Sequence, residues 1–324
     1  MFSNFKRLSF KHKNNKLWYY FHNYLRQYYP LSLFTNKLKS ELKRIHDYDS
    51  DYIFKRVNYY NQLNELHTLS SGAKALSEIK LGKKQKTYYF DFFEFTRYFN
   101  SKLKIHFLFG DITHVPNEST IVKSRPVTGE NTNSILLNLD KVRHFLFLND
   151  NKKFTNKKDM LVGRSKANQP HRIRFLEQYM NHPLCNIGQV NKNANIQFLA
   201  NRLTISEHLD YKFILCLEGY DVASNLKWVM SSNSLAVMPK PKFETWFMEG
   251  TLIPDYHYVL INDDYSDLEE RLNFYIQNED KALKIIENAH HYIRQFKNKK
   301  QEDLISLLVL QKYFDKTGQV ILSK

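Results

Sequence analysis

Cysteine is nearly absent from this 324-residue chain. Its two copies, Cys185 and Cys216, cannot build a disulfide framework, and Cys216 lies inside the apolar run FILCL, so both read as reduced thiols of a cytoplasmic protein. No run of about eighteen apolar residues occurs, which excludes a membrane-crossing helix. The N-terminus MFSNFKRLSFKHKNNK carries cations but no apolar segment after them, so no secretory leader is expected. Repeats, low-complexity linkers, Gly-rich phosphate loops, zinc-spaced Cys/His clusters and nucleophile elbows are all missing. Acidic residues are short as well: 33 Asp and Glu against 48 Lys and Arg leave a formal charge of +15. An excess of that size favours an anionic partner, whether nucleic acid, an acidic lipid surface or a phosphorylated small molecule.

What is present suits a folded protein, since 42% apolar and 15% aromatic residues supply two cores of ordinary domain size. The basic excess concentrates at the front, where FKRLSFKHKNNKLWYYFHNYLRQYY interleaves Lys and Arg with rings. Three readings stay open there: stacking on single-stranded nucleic acid, a helix at an anionic membrane face with Trp18 and Tyr19 at headgroup level, or a solvated basic face on an ordinary amphipathic helix. Residues 1 to about 80 are predicted mostly helical, from the apolar spacing in SLFTNKLKSELKRI and YYNQLNELHTLSSGAKALSEIKLG, with Gly82 as the stop. The period then changes. TYYFDFF, KLKIHFLFG, SILLNL, HFLFLN and DMLVG read as strands, and QPHRIRFLEQYMNHP as a helix ended by Pro183. From residue 211 strand, helix and strand alternate, the signature of a parallel α/β sheet. Residues 266–296 predict two helices, the first opened by a capping box of Ser266 and Glu269.

Open α/β sheets bind ligands outside the carboxyl ends of their strands, which singles out three places. KIHFLFG runs into Asp111. DMLVG runs into Arg164, Ser165 and Lys166, with Arg172 at the start of the next helix. KFILCLEG runs into a turn holding Glu218, Gly219, Asp221, Ser224 and Asn225, just before LKWVM. The N–H groups of that helix start, with Ser224 and Lys227, would receive a phosphate. Cations facing a phosphate and a carboxylate facing the bond to be made are what transfer from a nucleotide-activated donor requires. Plainer roles compete: Asp111 as a turn former, Arg172 as a surface charge, Lys227 lying along an apolar face, Trp228 and Met230 as core. His114 is a second candidate base. HDYDSDY holds the Asp-x-Asp of Asp49 and Asp51, oxygen ligands suited to Mg²⁺ or Mn²⁺. It sits in a helical neighbourhood between ELKRI and IFKRV, where a helix cap is the better reading.

The segment YKFILCLEGYDVASNLKWVMSSNSLAVM, with FETWF, YHYVLINDDYSDLEERLNFYI and AHHYIRQF after it, resembles the C-terminal half of glycosyltransferase family 90, over roughly residues 86–297. It is most similar to the bacterial lipooligosaccharide branch, which is related to the eukaryotic protein O-glucosyltransferases of the Rumi type. The resemblance implies a GT-B-like α/β fold, with two Rossmann-like domains facing a cleft and a helical N-terminal region. It also implies inverting transfer from a UDP-sugar, with no metal and no cofactor. Carried onto this sequence, GDITHVP puts the catalytic aspartate at Asp111, and GRSKANQPHR puts the diphosphate-binding arginine at Arg172, with Arg164 or Lys166 as helpers. Eukaryotic members carry an Arg in the turn where this chain has Asn225, so the contact there falls to backbone N–H groups, Ser224 or Lys227. Glu244, in FETW, is the candidate for the ribose hydroxyls.

The expected organisation is a helical and acceptor-side domain over 1–155, a UDP-sugar-binding domain over 156–290, and C-terminal helices over 291–324 that return to the first domain. Arg164, Lys166, Arg172, Gly219, Asp221, Ser224, Asn225, Lys227 and Glu244 form the expected donor site. The expected reaction moves glucose or galactose onto a lipooligosaccharide core sugar. Its setting is the cytoplasm, peripheral at the anionic inner face of the inner membrane, without nucleic acid. Competing expectations are a basic nucleic-acid-binding protein and a metal-dependent Asp-x-Asp glycosyltransferase.

Overall fold

The computed structural model describes residues 12, 14–191 and 196–319; the basic segment before His12 lies outside them. In chain order the strands are β1 (Lys74–Ala75), β2 (Lys104–Leu108), β3 (Thr120–Val122), β4 (Arg125–Pro126), β5 (Ser134–Leu136), β6 (Lys158–Ser165), β7 (Cys185–Gln189), β8 (Tyr211–Leu215), β9 (Leu235–Met238), β10 (Phe243–Glu244) and β11 (Val259–Leu260). Two compact units result. One contains Arg143–Pro241 and Thr251–Gln295; the other contains Asn15–Val142, Lys242–Gly250 and the chain from Phe296 onward.

The unit of Arg143–Pro241 is built on a five-stranded parallel sheet of order β11-β9-β8-β6-β7. Winding starts at β6, steps to β7 on one side, then returns to β8, β9 and β11 on the other. The direction of winding therefore reverses between β6 and β8, where such sheets open a crevice at their carboxyl ends. The strands are short continuous apolar runs, as a sheet covered on both faces requires. Leu161, Phe213, Leu235 and Val237 pack with Phe175 and Leu176 of helix Pro170–Tyr179 and with Leu272 and Ile285 of helices Leu268–Gln277 and Glu279–Arg294. Gly188 admits no side chain, because a Cβ there would stand 2.3 Å from that of Ala200.

Two expectations fail in this unit. HFLFLN is not a strand: helix Lys141–His144, which straddles the boundary between the units, gives way to irregular backbone, and the Leu148 N–H donates to Ser231 Oγ at 2.7 Å instead of joining a ladder. The Ser266–Glu269 capping box does not form. Asp264 takes the Ser266 hydroxyl at 2.8 Å, and the cap position falls to Asp267, whose Oδ1 accepts from the Asn262 N–H at 2.8 Å instead of capping the helix.

The other unit holds a four-stranded sheet of order β1-β2-β3-β5, parallel except for β1, and an antiparallel pair of β4 and β10. Helix Lys299–Lys316 is buried along most of its length and packs on helices Ser50–Tyr60 and Lys86–Thr96. TYYFDFF, predicted as a strand, is part of helix Lys86–Thr96, with Tyr88, Tyr89, Phe90, Asp91, Phe92 and Phe95 all buried. A continuous aromatic run has no period, so the tertiary surroundings chose its conformation. Its buried Asp91 is satisfied by the Lys141 N–H at 2.8 Å and the Tyr19 hydroxyl at 2.9 Å.

The predicted helix beyond residue 59 stops at Tyr60. Asn61 ends it by accepting from the Leu63 N–H and donating to the Val309 carbonyl, both at 3.1 Å. The stretch before it divides into short helices Ser32–Thr35 and Leu38–Lys43 and a 3₁₀ turn, Arg44–Asp47. Asp49 caps helix Ser50–Tyr60 through the N–H groups of Asp51 and Tyr52, as its helical neighbourhood suggested. Among the described residues no helix is long and apolar enough to cross a membrane.

Candidate active site

The carboxyl ends of β6, β7 and β8 open into a cavity of about 480 Å³. β6 delivers Gly163, Arg164 and Ser165 to it, and the loop that follows adds Lys166. Pro170 at the first helical position starts the next helix without wasting a donor, and Arg172 follows in its first turn. From the turn after β8 come Ser224 and Asn225. Arg143 is a fourth cation in the wall, and among the described residues no carboxylate lines the cavity. Most of the remaining wall is apolar, from Ile187, Val190, Leu215, Leu217 and Trp228. Cations in a partly apolar wall that no carboxylate of the described residues lines favour an anionic ligand, because the low dielectric strengthens each contact.

The cations are not equivalent. Arg164 spends Nε on the Asn201 carbonyl (2.8 Å), Nη1 on the carbonyls of Gly163 (2.9 Å) and Asn186 (2.7 Å), and Nη2 on Asn186 Oδ1 (2.7 Å). It therefore staples β6 to β7 more than it faces a ligand. Arg172 donates Nε to Glu218 O (2.7 Å), Nη2 to Leu217 O (2.8 Å) and Nη1 to Lys166 O (3.0 Å). A guanidinium has five N–H donors, so two remain for a ligand. Burial pushes its pKa down from the ordinary value, and Tyr265 and the charge of Glu218 oppose that only in part. Lys166 is exposed, and its ammonium has no hydrogen bond or ion pair among the described residues.

The turn quoted for phosphate binding is held from below. Asn225 Nδ2 donates to the Leu215 carbonyl at 2.9 Å, Gly219 lies against Arg172, where a Cβ would be 3.5 Å from Nη2, and Asp221 is buried. Gly219 and Asp221 thus shape the turn without lining the cavity. Lys227 is wholly buried, with its ammonium 6.0 Å from the Phe145 ring centre, and does not line the cavity. The helix Leu226–Met230 has only five residues, too few for a large dipole. Two side chains the sequence did not single out line the cavity instead. One is Arg143; the other is His208, whose pKa burial lowers and whose Nδ1 bonds the Thr204 carbonyl at 2.8 Å. Nothing in local sequence pattern marks either. Trp228, read as core, is both buried and part of the wall.

The other unit presents Asp111. Gly110, at φ +127, turns the chain out of β2, and Ser124 pins the loop by accepting from the Ile112 N–H (3.1 Å) and donating to the Ile112 carbonyl (2.9 Å). Asp111 Oδ1 accepts from the Tyr88 hydroxyl at 3.1 Å and from the ammonium of the buried Lys123. Its side chain keeps 30% exposure, so a fixed carboxylate stays reachable from solvent. His114, three residues on, is exposed.

Glu244 belongs to the same unit as Asp111, not to the one with the cavity. It is buried on β10, accepting from Arg125 Nε at 2.8 Å and from the Tyr59 hydroxyl. Arg125 continues to the carbonyls of Ser134 (3.1 Å) and Tyr59 (2.8 Å). Burial raises the Glu244 pKa while Arg125 and Tyr59 oppose that rise. Both carboxylate oxygens serve this internal network. Among the described residues no group of three or more His, Cys, Asp or Glu is arranged to hold a metal ion.

Comparison with known proteins finds relatives over most of the chain. The family model described as Glycosyl transferase family 90 matches residues 146–315. The chain is similar to O-glucosyltransferase LpsA of Dichelobacter nodosus, with 43% identity over 263 residues, 81% of this chain and 82% of that protein. It is also similar to Uncharacterized protein 027R of Frog virus 3 (isolate Goorha), with 28% identity over 129 residues, 38% of this chain and 13% of that protein. A family model matched over more than half the chain, together with a relative of that identity and coverage, places it: the chain belongs to glycosyltransferase family 90.

Proposed function

We propose that this glycosyltransferase moves a hexose, with inversion, from a UDP-sugar to a core sugar of lipooligosaccharide at the cytoplasmic face of the inner membrane, in a GT-B-like arrangement. The observation that carries the reading is the carboxylate-free cavity walled by Arg143, Arg164, Lys166 and Arg172 at the carboxyl ends of a parallel sheet. Glucose is the favoured hexose because the relative from Dichelobacter nodosus is named an O-glucosyltransferase.

In this reading the UDP diphosphate meets the two remaining N–H groups of Arg172, the Lys166 ammonium and the Ser224 hydroxyl. Asp111 takes the proton of the acceptor hydroxyl while that oxygen attacks the anomeric carbon from the side opposite UDP. The bond from the anomeric carbon to the diphosphate oxygen breaks, and its electron pair leaves with UDP. Arg172 and Lys166 counter the charge that grows on the leaving group, which is the work a bound divalent ion would otherwise do. The transfer is thus proposed to need no metal.

The test is thermal stabilisation, since a ligand bound only by the native state raises stability with the logarithm of its concentration. UDP should raise Tm in the presence of a chelator, and a panel of UDP-sugars should then identify the hydrolysed or transferred donor. Stabilisation by single-stranded oligonucleotides but not by UDP would sink the reading. Stabilisation by UDP only with Mn²⁺ would remove its metal independence.

A further inference from the structure

Helix Lys16–Arg26 meets the protein through the rings of Tyr19, Tyr20 and Tyr24 against Phe90 and through polar bonds: the Tyr19 hydroxyl donates to Asp91 Oδ1 at 2.9 Å, Arg26 Nη2 donates to Glu94 Oε1 at 3.0 Å, and Asn23 is buried between them and bonded to Tyr19 O at 2.8 Å. Its outward side carries Leu17 (77% exposed), Trp18 (57%), Phe21 (54%) and Leu25 (40%), and Tyr28 (85%) extends the same strip past the helix. At 100° per residue these five positions fall on one face. Trp18 and Phe21 stack with ring centres 5.7 Å apart. Water normally receives the polar face of a surface helix. Here Asp91 and Glu94 anchor the inward face, and nothing among the described residues covers the apolar outward one.

The charge around the strip selects its partner. Residues 1–40 contain eight Lys or Arg and no Asp or Glu; the first acid is Glu41. A strip of Trp, Phe, Leu and Tyr in a stretch of sequence whose charges are all positive matches an anionic bilayer surface, where rings sit at headgroup level and cations meet lipid phosphates. A second copy would set the same cations against each other, and Leu17 and Leu25 offer no stacking platform to nucleic-acid bases.

We infer that the outward face of helix Lys16–Arg26, continued by Tyr28, docks the protein on an anionic phospholipid bilayer, with the helix lying in the plane of the interface. This deepens the membrane location proposed above by naming the surface and its lipid partner. It is independent of the donor and base assignments.

The experiment is co-sedimentation of the intact chain with phosphatidylcholine vesicles, with and without phosphatidylglycerol, at low and high salt. Binding is expected only with phosphatidylglycerol and should weaken as salt screens the cations. Phe21→Ser and Trp18→Ser, at exposed positions that leave the fold intact, are each expected to weaken partitioning about tenfold, the worth of one buried large apolar side chain. Trp18 is the exposed one of three tryptophans, with Trp228 and Trp246 buried, so vesicles should blue-shift the emission of the intact chain and not of Trp18→Ser. UDP-sugar hydrolysis should be the same in all three proteins, which separates this proposal from failure of the transferase reading. No binding to phosphatidylglycerol vesicles, or binding that Phe21→Ser leaves unchanged, overturns the proposal. So does an intact chain that is a dimer in solution and becomes monomeric with Phe21→Ser, or an oligonucleotide held through the strip while vesicles are not.

Discussion

Asp111→Asn is the substitution that bears most directly on the chemistry. The amide keeps an oxygen where Oδ1 accepts from Tyr88 at 3.1 Å and from Lys123, so the loop retains its hydrogen bonds and loses only its charge. Lys123 is 2% exposed and Asp111 30% exposed, which puts this pair between a surface bridge and a buried one. The stability cost should be about 1–3 kcal/mol, seen as a fall in Tm of roughly 2–4 °C per kcal/mol for a domain of this size. UDP affinity should not change, because UDP lacks the acceptor hydroxyl on which Asp111 is proposed to act. Turnover should fall by about two to four orders of magnitude, the usual worth of a general base, which is about 3–5 kcal/mol of barrier. Tm, UDP affinity and initial transfer rate are to be measured on one preparation, with His114→Ala beside it. A variant that keeps turnover within about threefold of the intact chain refutes the assignment, and loss of activity in His114→Ala instead would move the base there.

Arg172→Ala should weaken UDP binding about tenfold or more and slow transfer, and it should also lower Tm because three charged bonds to carbonyls disappear. Lys166→Ala should weaken UDP binding by a smaller factor with Tm unchanged; isothermal titration and melting curves check both. Glu244→Gln should leave UDP affinity intact but destabilise by about 3–5 kcal/mol, the cost of breaking a buried ion pair from one side, since Arg125 is buried with it; a UDP defect at normal Tm would restore the ribose role. Glu94 responds to acid. Burial acts to raise its pKa, but Lys141, Arg26 and Lys299 overcome that and hold it at about 2, below the ordinary 4.5. A depressed carboxyl stabilises the fold above its unfolded pKa and loses that contribution as pH falls toward the folded one. Melting between pH 4.5 and about 2 should therefore be less pH-sensitive in Glu94→Gln than in the intact chain. Asp91, raised to about 6 mainly by burial, works in the opposite sense between its ordinary value and pH 6 in both proteins.

Local pattern was sufficient wherever a segment's own period or terminus carries the information. The apolar runs of β6, β8 and β9 announced a covered parallel sheet, and the residues that follow β2, β6 and β8 pointed to Asp111, Arg172 and Ser224 because a strand's carboxyl end is readable along the chain. Asp49 as a helix cap was legible for the same reason. The wording from residue 211 onward carried the family. Tertiary structure decided the rest. TYYFDFF became a helix because a run without period takes the conformation its surroundings bury best. Arg143 and His208 enter the cavity, Lys227 is buried outside it, and Glu244 is claimed by Arg125 and Tyr59, all through partners distant in sequence. The outward apolar face of helix Lys16–Arg26 is the clearest instance. Sequence showed that the helix has two faces, but only the positions of Asp91 and Glu94, nearly seventy residues away, decided which of them meets the solvent, because buried carboxylates must be paired and Tyr19 and Arg26 are what pairs them.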